Sequence, residues 1–215
     1  KFIISLKTYA IIPVKSFSKA KTRLNIPQIK REAICKEMLE EVLQTLSKCK
    51  SIDNIVIVSK DDAAIKLGES FGATQIFDDD LGVNQAVDLA DQHLVDLEYN
   101  CSVIFPQDIP MMESSDIDSL LGFLKSRNSV MLVPSRQFNG TNALVRYYAN
   151  SMKTQYDKGS YSYQLDAAKS VTQNVSVALI RRMMLDIDDE FDLAFMLKQN
   201  EKPDFCKKIR NILSL

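Results

Sequence analysis

From Lys15 to Arg23 the chain reads Lys-Ser-Phe-Ser-Lys-Ala-Lys-Thr-Arg, four cations and three hydroxyls in nine residues. Ammonium, guanidinium and hydroxyl donors on one flexible loop suit a triphosphate; the plainer alternative is a solvated basic loop. Neither Gly-x-x-x-x-Gly-Lys-[Ser/Thr] nor Gly-x-Gly-x-x-Gly occurs, so P-loop hydrolysis and dinucleotide binding lose support.

Two acidic segments offer a counterpart. In Pro106-Gln107-Asp108-Ile109-Pro110 a carboxylate sits in a turn stiffened by prolines on either side. In Asp186-Ile187-Asp188-Asp189-Glu190, an extended backbone would project Asp186 and Asp188 from one side. Asp108 with Asp186 or Asp188 could hold Mg²⁺, which takes oxygen ligands and bridges to substrate phosphates. The ordinary alternatives are a turn aspartate at 108 and a helix cap at 188 or 189. Two glycine-centred segments, Asn139-Gly140-Thr141-Asn142 and Lys158-Gly159-Ser160, are either plain turns or amide nests for a phosphate or carboxylate.

Histidine and thiol chemistry is not expected. His93 is the single histidine and falls in a polar, helical-looking stretch. Cys35, Cys49, Cys101 and Cys206 lack metal-ligand spacing and read as buried or incidental thiols.

Strands and helices must position these groups. Apolar β-branched runs predict strands at Tyr9–Val14, Asn54–Ser59, Ala73–Phe77, Cys101–Phe105 and Val130–Val133. Helical periodicity fills the gaps at 28–48, from an Asp61 cap to about Ser70, at Asn84–Leu97, and from Ser115 and Asp116 onward. Such alternation implies parallel pairing with helices on both faces. After Pro134 the rhythm breaks: a turn at Asn139-Gly140, a strand at Ala143–Tyr148 and a short helix at 160–170. The stretch Val175–Ile187 reads as extended, Asp189–Gln199 as helical, and the tail from Glu201 as amphipathic at best. The segment 143–175 is a candidate homodimer surface or substrate lid. The whole is one three-layer α/β domain over 1–215, and its ligands are expected beyond the carboxyl ends of the strands.

The 46% hydrophobic content allows a sizeable core, and a net charge of -1 gives no reason to expect nucleic acid or an anionic membrane. No apolar run is long enough to span a bilayer, and Lys1–Leu6 shows no cleavage pattern, so the expected location is the cytoplasm.

These motifs in order resemble a known family. Pro13-Val14-Lys15-Ser16 with Lys19-Ala20-Lys21-Thr22-Arg23-Leu24 looks like the opening of the 2-phospho-L-lactate guanylyltransferases of coenzyme F420 biosynthesis. The likeness continues through Gly82-Val83-Asn84-Gln85-Ala86, Asp108-Ile109-Pro110, Pro134-Ser135-Arg136, Gly140-Thr141-Asn142-Ala143-Leu144, Gly159-Ser160 and Asp186-Ile187-Asp188. It implies a Rossmann-like nucleotidyltransferase fold and the reaction of GTP with 2-phospho-L-lactate, giving lactyl-2-diphospho-5'-guanosine and pyrophosphate. Carried over by position, Lys15 and Arg23 neutralise the triphosphate, with Ser16 and Lys21 beside them. Gly82 and Asn84 lie near the nucleotide, and Asp108 with Asp186 or Asp188 holds Mg²⁺. Thr141, Gly159 and Ser160 seat the acceptor. Tyr156-Asp157-Lys158-Gly159-Ser160, Gln107 and Gln164 depart from the family pattern, and Asp157 adds negative charge beside the proposed acceptor pocket. Phosphoenolpyruvate and 3-phosphoglycerate therefore stand as alternative acceptors. The competing readings are another nucleotidyltransferase, a metal-dependent glycosyltransferase of the same broad fold, or a non-catalytic module.

Overall fold

The computed structural model describes residues 6–95, 97, 99–156 and 159–214. Expectations resting on Lys1–Ser5, Asp157 and Lys158 lie outside them.

Three βα units come first. They are β1 (Thr8–Val14) with α1 (Gln28–Ser47), β2 (Asn54–Ser59) with α2 (Asp62–Ser70), and β3 (Thr74–Phe77) with α3 (Val83–Leu94). Then follow β4 (Cys101–Ile104), α4 (Ser114–Gly122), β5 (Ser129–Pro134), β6 (Thr141–Tyr147), α5 (Ser160–Val171), β7 (Asn174–Val177), α6 (Glu190–Gln199) and α7 (Pro203–Leu213). The strands form one sheet in the order β3-β2-β1-β4-β6-β5-β7. Strands β1 to β4 are parallel, as alternation implied; β6 runs antiparallel to both β4 and β5.

That reversal corrects the uniform parallel rule after Pro134. A loop of six residues, 135–140, joins β5 to β6, enough for a hairpin and too short for a crossover. Ser135 closes it: its Oγ accepts from the Gly140 amide at 3.0 Å, and its own amide donates to the Gly140 carbonyl at 2.9 Å. Gly140 therefore serves the turn.

Helices cover both faces. On one, α1, α2, α4, α6 and α7 bury residues such as Met38, Ile65, Leu120, Met196 and Phe205. On the other, α3 and α5 bury Val87, Ala90, Leu94 and Ala168 against Ile11, Val58, Ile104 and Leu144. This is the three-layer α/β arrangement read from the sequence.

Two further expectations need correction. Of the stretch Val175–Ile187 expected to be extended, only its first three residues are strand, as the end of β7; beyond them, the Ile180 carbonyl accepts from the amides of Met183 and Met184 and turns the chain. The tail is an ordered helix, with Phe205, Cys206 and Ile209 buried on one stripe and Pro203 at its start. Lys202, just before it, donates to the carbonyls of Pro110 at 2.8 Å and Met112 at 2.7 Å and to Glu41 of α1 at 2.8 Å.

Candidate active site

Chain direction places the site. From β1 the chain steps outward to β2 and β3, then α3 brings it back to β4 on the other side of β1. Strand order reverses between β1 and β4, and the gap beyond their carboxyl ends is where ligands enter such sheets. The loop from Lys15 to Arg23 leaves β1 there, and Pro106-Gln107-Asp108 leaves β4 beside it. Between them opens a cleft of about 340 Å³ lined by Lys15, Lys19, Lys21, Arg23, Gln107, Asp108, Thr141, Tyr156 and Asp188. A neighbouring recess shares Lys15, Val83 and Tyr156 and extends the cleft toward Asp80, Gly82 and Asn84.

The basic loop is held from two sides. Asp61 caps α2 through one carboxylate oxygen, accepting from Ala63 and Ala64, while its other oxygen accepts from the Phe17 amide at 2.9 Å. Asp80 accepts from Ser16 Oγ at 3.3 Å and from Lys19 Nζ at 3.1 Å. Lys15 is exposed and has no carboxylate partner among the described residues, which leaves its charge available to a ligand.

Lys21 does something the sequence did not suggest. Its ammonium is buried between two carboxylates, donating to Asp108 Oδ2 and, at 2.6 Å, to Asp188 Oδ1. Burial is the largest single influence and works to lower its pKa, but Asp108 and Asp188 together outweigh it and hold the amine above its ordinary range. Arg23 donates to the other oxygen of Asp188. Burial acts to raise Asp188, yet Lys21 and Arg23 overcome it and keep this carboxyl below the usual range.

Asp186 behaves oppositely. Burial first, then repulsion from Asp108 and Asp188, pushes it up to about 6, only partly opposed by a hydrogen bond from Asn142. The acidic segments are joined by the backbone, the Ile187 amide donating to the Asp108 carbonyl at 3.0 Å. Asp186 feels the charge of Asp108, and Asp188 shares Lys21 with it, although 183–187 is not a strand, so the strand alternation expected there does not explain their placement. Asp189 is the cap of α6, accepting from Phe191 at 2.9 Å and Asp192 at 3.0 Å, which frees Asp188 for the cleft.

Among the described residues no three carboxylates, thiols or imidazoles are gathered so as to hold a metal ion by themselves. Mg²⁺ does not require three, since it commonly binds one or two carboxylates and completes its shell with water and substrate phosphate. Asp108 Oδ1 is buried without a hydrogen-bond partner, a hard oxygen donor at the place where Lys21 supplies positive charge. The donor set fits Mg²⁺, provided Lys21 yields its position.

The third group of expected residues lies across the cleft. A β-bulge between β5 and β6 pairs Val133 with Ala143 and Pro134 with Thr141, leaving Asn142 unpaired. The extra residue aims neighbours at opposite faces. Asn142 reaches Met183 O at 3.0 Å and Asp186 at 3.1 Å, whereas Thr141 turns to the α5 face, where Ser160 Oγ donates to it at 3.3 Å. Gly159, in the left-handed region with φ 73, starts α5 and brings Ser160 into its first turn.

Asn84 lines the recess beside Lys15 and Gly82, as expected, and has a structural tie as well. Its Oδ1 accepts from Thr154 Oγ1 at 3.0 Å and the Tyr156 amide at 2.8 Å, tying α3 to the chain that leads into α5. Through that tie it holds the ring of Tyr156 against the cleft. Gly82 begins α3 at φ 117, a conformation glycine alone adopts without strain. Asp61, Asp80 and Tyr156 are not legible as site residues, and Asn142 only as part of a turn or amide nest; each acts through a partner distant in sequence, a link that local pattern does not encode. His93 is exposed in the last turn of α3 and lines neither recess. The four cysteines are free and buried, and burial pushes Cys35 up to about 11 and Cys101 up to about 12.

A cationic loop facing carboxylates across the switch point of a mostly parallel three-layer sheet is an arrangement suited to an enzyme that handles nucleotide phosphates. Comparison with known proteins narrows this: the family model described as "Guanylyl transferase CofC like" matches residues 8–213, and the chain belongs to that family. It is 30% identical over 192 residues to the phosphoenolpyruvate guanylyltransferase of Conexibacter woesei, covering 87% of this chain and 86% of that one. It is 28% identical over 211 residues to the 2-phospho-L-lactate guanylyltransferase of Methanothermobacter thermautotrophicus, covering 95% and 92%. It is 25% identical over 194 residues to the 3-phospho-D-glycerate guanylyltransferase of Colwellia psychrerythraea, covering 89% and 91%. Among solved structures, 4-diphosphocytidyl-2C-methyl-D-erythritol synthase from Anaerococcus prevotii superposes with a TM-score of 0.61 at 12% identity, covering 89% of this chain and 94% of its own; this shows the fold. The protein is a guanylyltransferase. Among the described residues no helix is long and apolar enough to cross a membrane.

Proposed function

We propose that the protein transfers the guanylyl group of GTP to the phosphate of a small phosphorylated carboxylic acid. An acceptor phosphate oxygen forms a bond to the α-phosphorus as the bond from that phosphorus to the bridging oxygen of the β-phosphate breaks, and pyrophosphate leaves. A phosphate monoester is already anionic near neutral pH, so the step needs alignment and charge neutralisation more than a strong base. That fits a cleft lacking histidine.

The observation that carries the proposal is the pairing of Lys15, Lys19 and Arg23 with Asp108 and Asp188 around one opening, with Asp186 in an adjoining recess that shares Arg23 and Asp188. Lys15 and Arg23 neutralise the triphosphate, Ser16 and Lys19 steady it, and Lys21 moves from the carboxylates to the phosphates. Asp108 with Asp188 or Asp186 would hold Mg²⁺, which when bound polarises the α-phosphate and offsets its charge. Gly82 and Val83 flank the nucleotide, and Thr141, Gly159 and Ser160 receive the acceptor. The sequence reading names 2-phospho-L-lactate and coenzyme F420 biosynthesis. Phosphoenolpyruvate and 3-phospho-D-glycerate, named for relatives, share its phosphate and carboxylate.

Pyrophosphate release with Mg²⁺ and GTP is the test, run with each of the three acceptors and with none. Release that needs both GTP and an acceptor supports the proposal. Release with another nucleotide in place of GTP, or from none with folded protein, would sink it. Asp108→Asn should lower turnover by about 10²-fold or more, the scale of one electrostatic contact to the transition state. Near-parental turnover in that variant would remove Asp108 from the reaction.

A further inference from the structure

We infer that Gln164 is a specificity-determining residue of the acceptor site, and that it selects a phosphorylated acid carrying a free hydroxyl. The inference rests on placing the acceptor at Thr141, Gly159 and Ser160.

The buried stripe of α5 is Ser160, Gln164 and Ala168, spaced four apart and so on one face. Gln164 is 0% exposed, and among the described residues neither its Nε2 nor its Oε1 has a hydrogen-bond partner. Buried amides of native proteins are nearly always paired, so two orphaned atoms on one side chain call for a partner. Helical side chains lean toward the N-terminus of their helix and cover the preceding turn. The amide of Gln164 is thereby directed at the first turn of α5, where Ser160 meets Thr141 and Thr141 lines the cleft. The first backbone N–H groups of α5 are without intrahelical partners there, and Gly159 at the cap position has no side chain to cap them.

This corner offers donors to an anion: helix amides, the hydroxyls of Thr141 and Ser160, and Gln164 Nε2. A carboxylate or phosphate satisfies them all. It cannot satisfy Gln164 Oε1, because ionised carboxylates and phosphates only accept. Oε1 needs a donor, and on a small phosphorylated acid that donor is a hydroxyl. 3-phospho-D-glycerate carries a free hydroxyl on C2, whereas in 2-phospho-L-lactate and phosphoenolpyruvate the C2 oxygen is the phosphorylated one and no free hydroxyl remains. A buried site built to bond a hydroxyl discriminates strongly against an analogue lacking it.

The test compares the parent protein with Gln164→Met, close in volume but without the amide. We measure kcat and KM for 3-phospho-D-glycerate, 2-phospho-L-lactate and phosphoenolpyruvate, and the Tm of each protein. The parent is expected to favour 3-phospho-D-glycerate in kcat/KM by about 10-fold or more. Gln164→Met should lose that preference chiefly through KM, with Tm unchanged or raised. Comparable kcat/KM for the three acceptors in the parent, or a preference that survives in the variant, overturns the inference while leaving guanylyl transfer standing. A lower Tm with unaltered KM values makes Gln164 a structural residue and also overturns it. Turnover with no acceptor would count against the proposed function instead. Binding then decides: a rise in Tm with 3-phospho-D-glycerate alone, present in the parent and absent in the variant, supports the inference, and equal rises reject it. Should the variant not fold, the parent's acceptor ranking and its binding of 3-phospho-D-glycerate over 2-phospho-L-lactate decide alone.

Discussion

Lys21 is costly in two ways, a left-handed backbone at φ 52 and an ammonium stripped of most of its water. What offsets both is the pair of carboxylates, which would otherwise stand together partly buried. Lys21→Met removes the only described cation that touches Asp108 and should destabilise the metal-free protein by about 3–5 kcal/mol, the scale of breaking a buried ion pair. Mg²⁺ should then recover part of the lost Tm, while the parent gains little from Mg²⁺ without GTP; thermal melts with and without the ion check both. Asp186 yields a second expectation. Its pKa is raised from 3.8 to about 6, so the native state holds a proton that the unfolded state releases between those values. Its contribution is therefore full below about pH 4 and is lost as pH rises through about 6. Asp186→Asn should flatten that fall in metal-free protein and raise stability at pH 7, read from urea midpoints at pH 4, 5, 6 and 7. The acidic residues and the basic loop were legible in the sequence from type and place. That Lys21 would sit among the acids was not, because its two partners lie 87 and 167 positions further along the chain.

At the scale of elements, β1, β2, β4, β5 and β6 and the first four helices followed from the apolar pattern, because each buries an apolar set. The order of strands did not. Six residues from Ser135 to Gly140 return the chain as a hairpin, and the β-bulge at Asn142 follows from pairing between strands. Yet this bulge is what serves both sides of the cleft, sending Asn142 to Asp186 and Thr141 to Ser160. The tail hides for another reason: α7 has a narrow apolar stripe of Phe205, Cys206 and Ile209, and a residue just outside the helix helps to dock it. Lys202 satisfies the Pro110 and Met112 carbonyls just after Asp108, so it anchors both the tail and the loop that carries a site carboxylate. Lys202→Met leaves those carbonyls and Glu41 without this donor and should lower stability by about 1–3 kcal/mol. It should also raise amide exchange in α7 and in residues 109–113 together; exchange confined to α7 would break the proposed link.

Over the whole molecule, the site is a junction between chain ends. Lys15 to Arg23 belong to the first βα unit and Asp186 and Asp188 to the last loop before α6. Asp108 bridges them, covalently to β4 and through its carbonyl to the Ile187 amide. On the opposite face, fully buried Arg146 of β6 donates to both oxygens of Asp91 on α3 at 2.7 and 2.8 Å, binding the antiparallel part of the sheet to the parallel part. Neither half can hold the site alone, and the helix layers of both halves share their cores across the sheet. Ligand binding should therefore stabilise the molecule as one unit. At about 100 times its dissociation constant, GTP with Mg²⁺ adds about 2.7 kcal/mol to the folded state. For a chain of this size that corresponds to a rise of about 2–4 °C in Tm per kcal/mol. The expected calorimetric result is a single endotherm displaced upward without splitting. An endotherm that divides, one part moving with GTP and the other fixed, would show two separately folding units and end the reading of 1–215 as one nucleotidyltransferase domain.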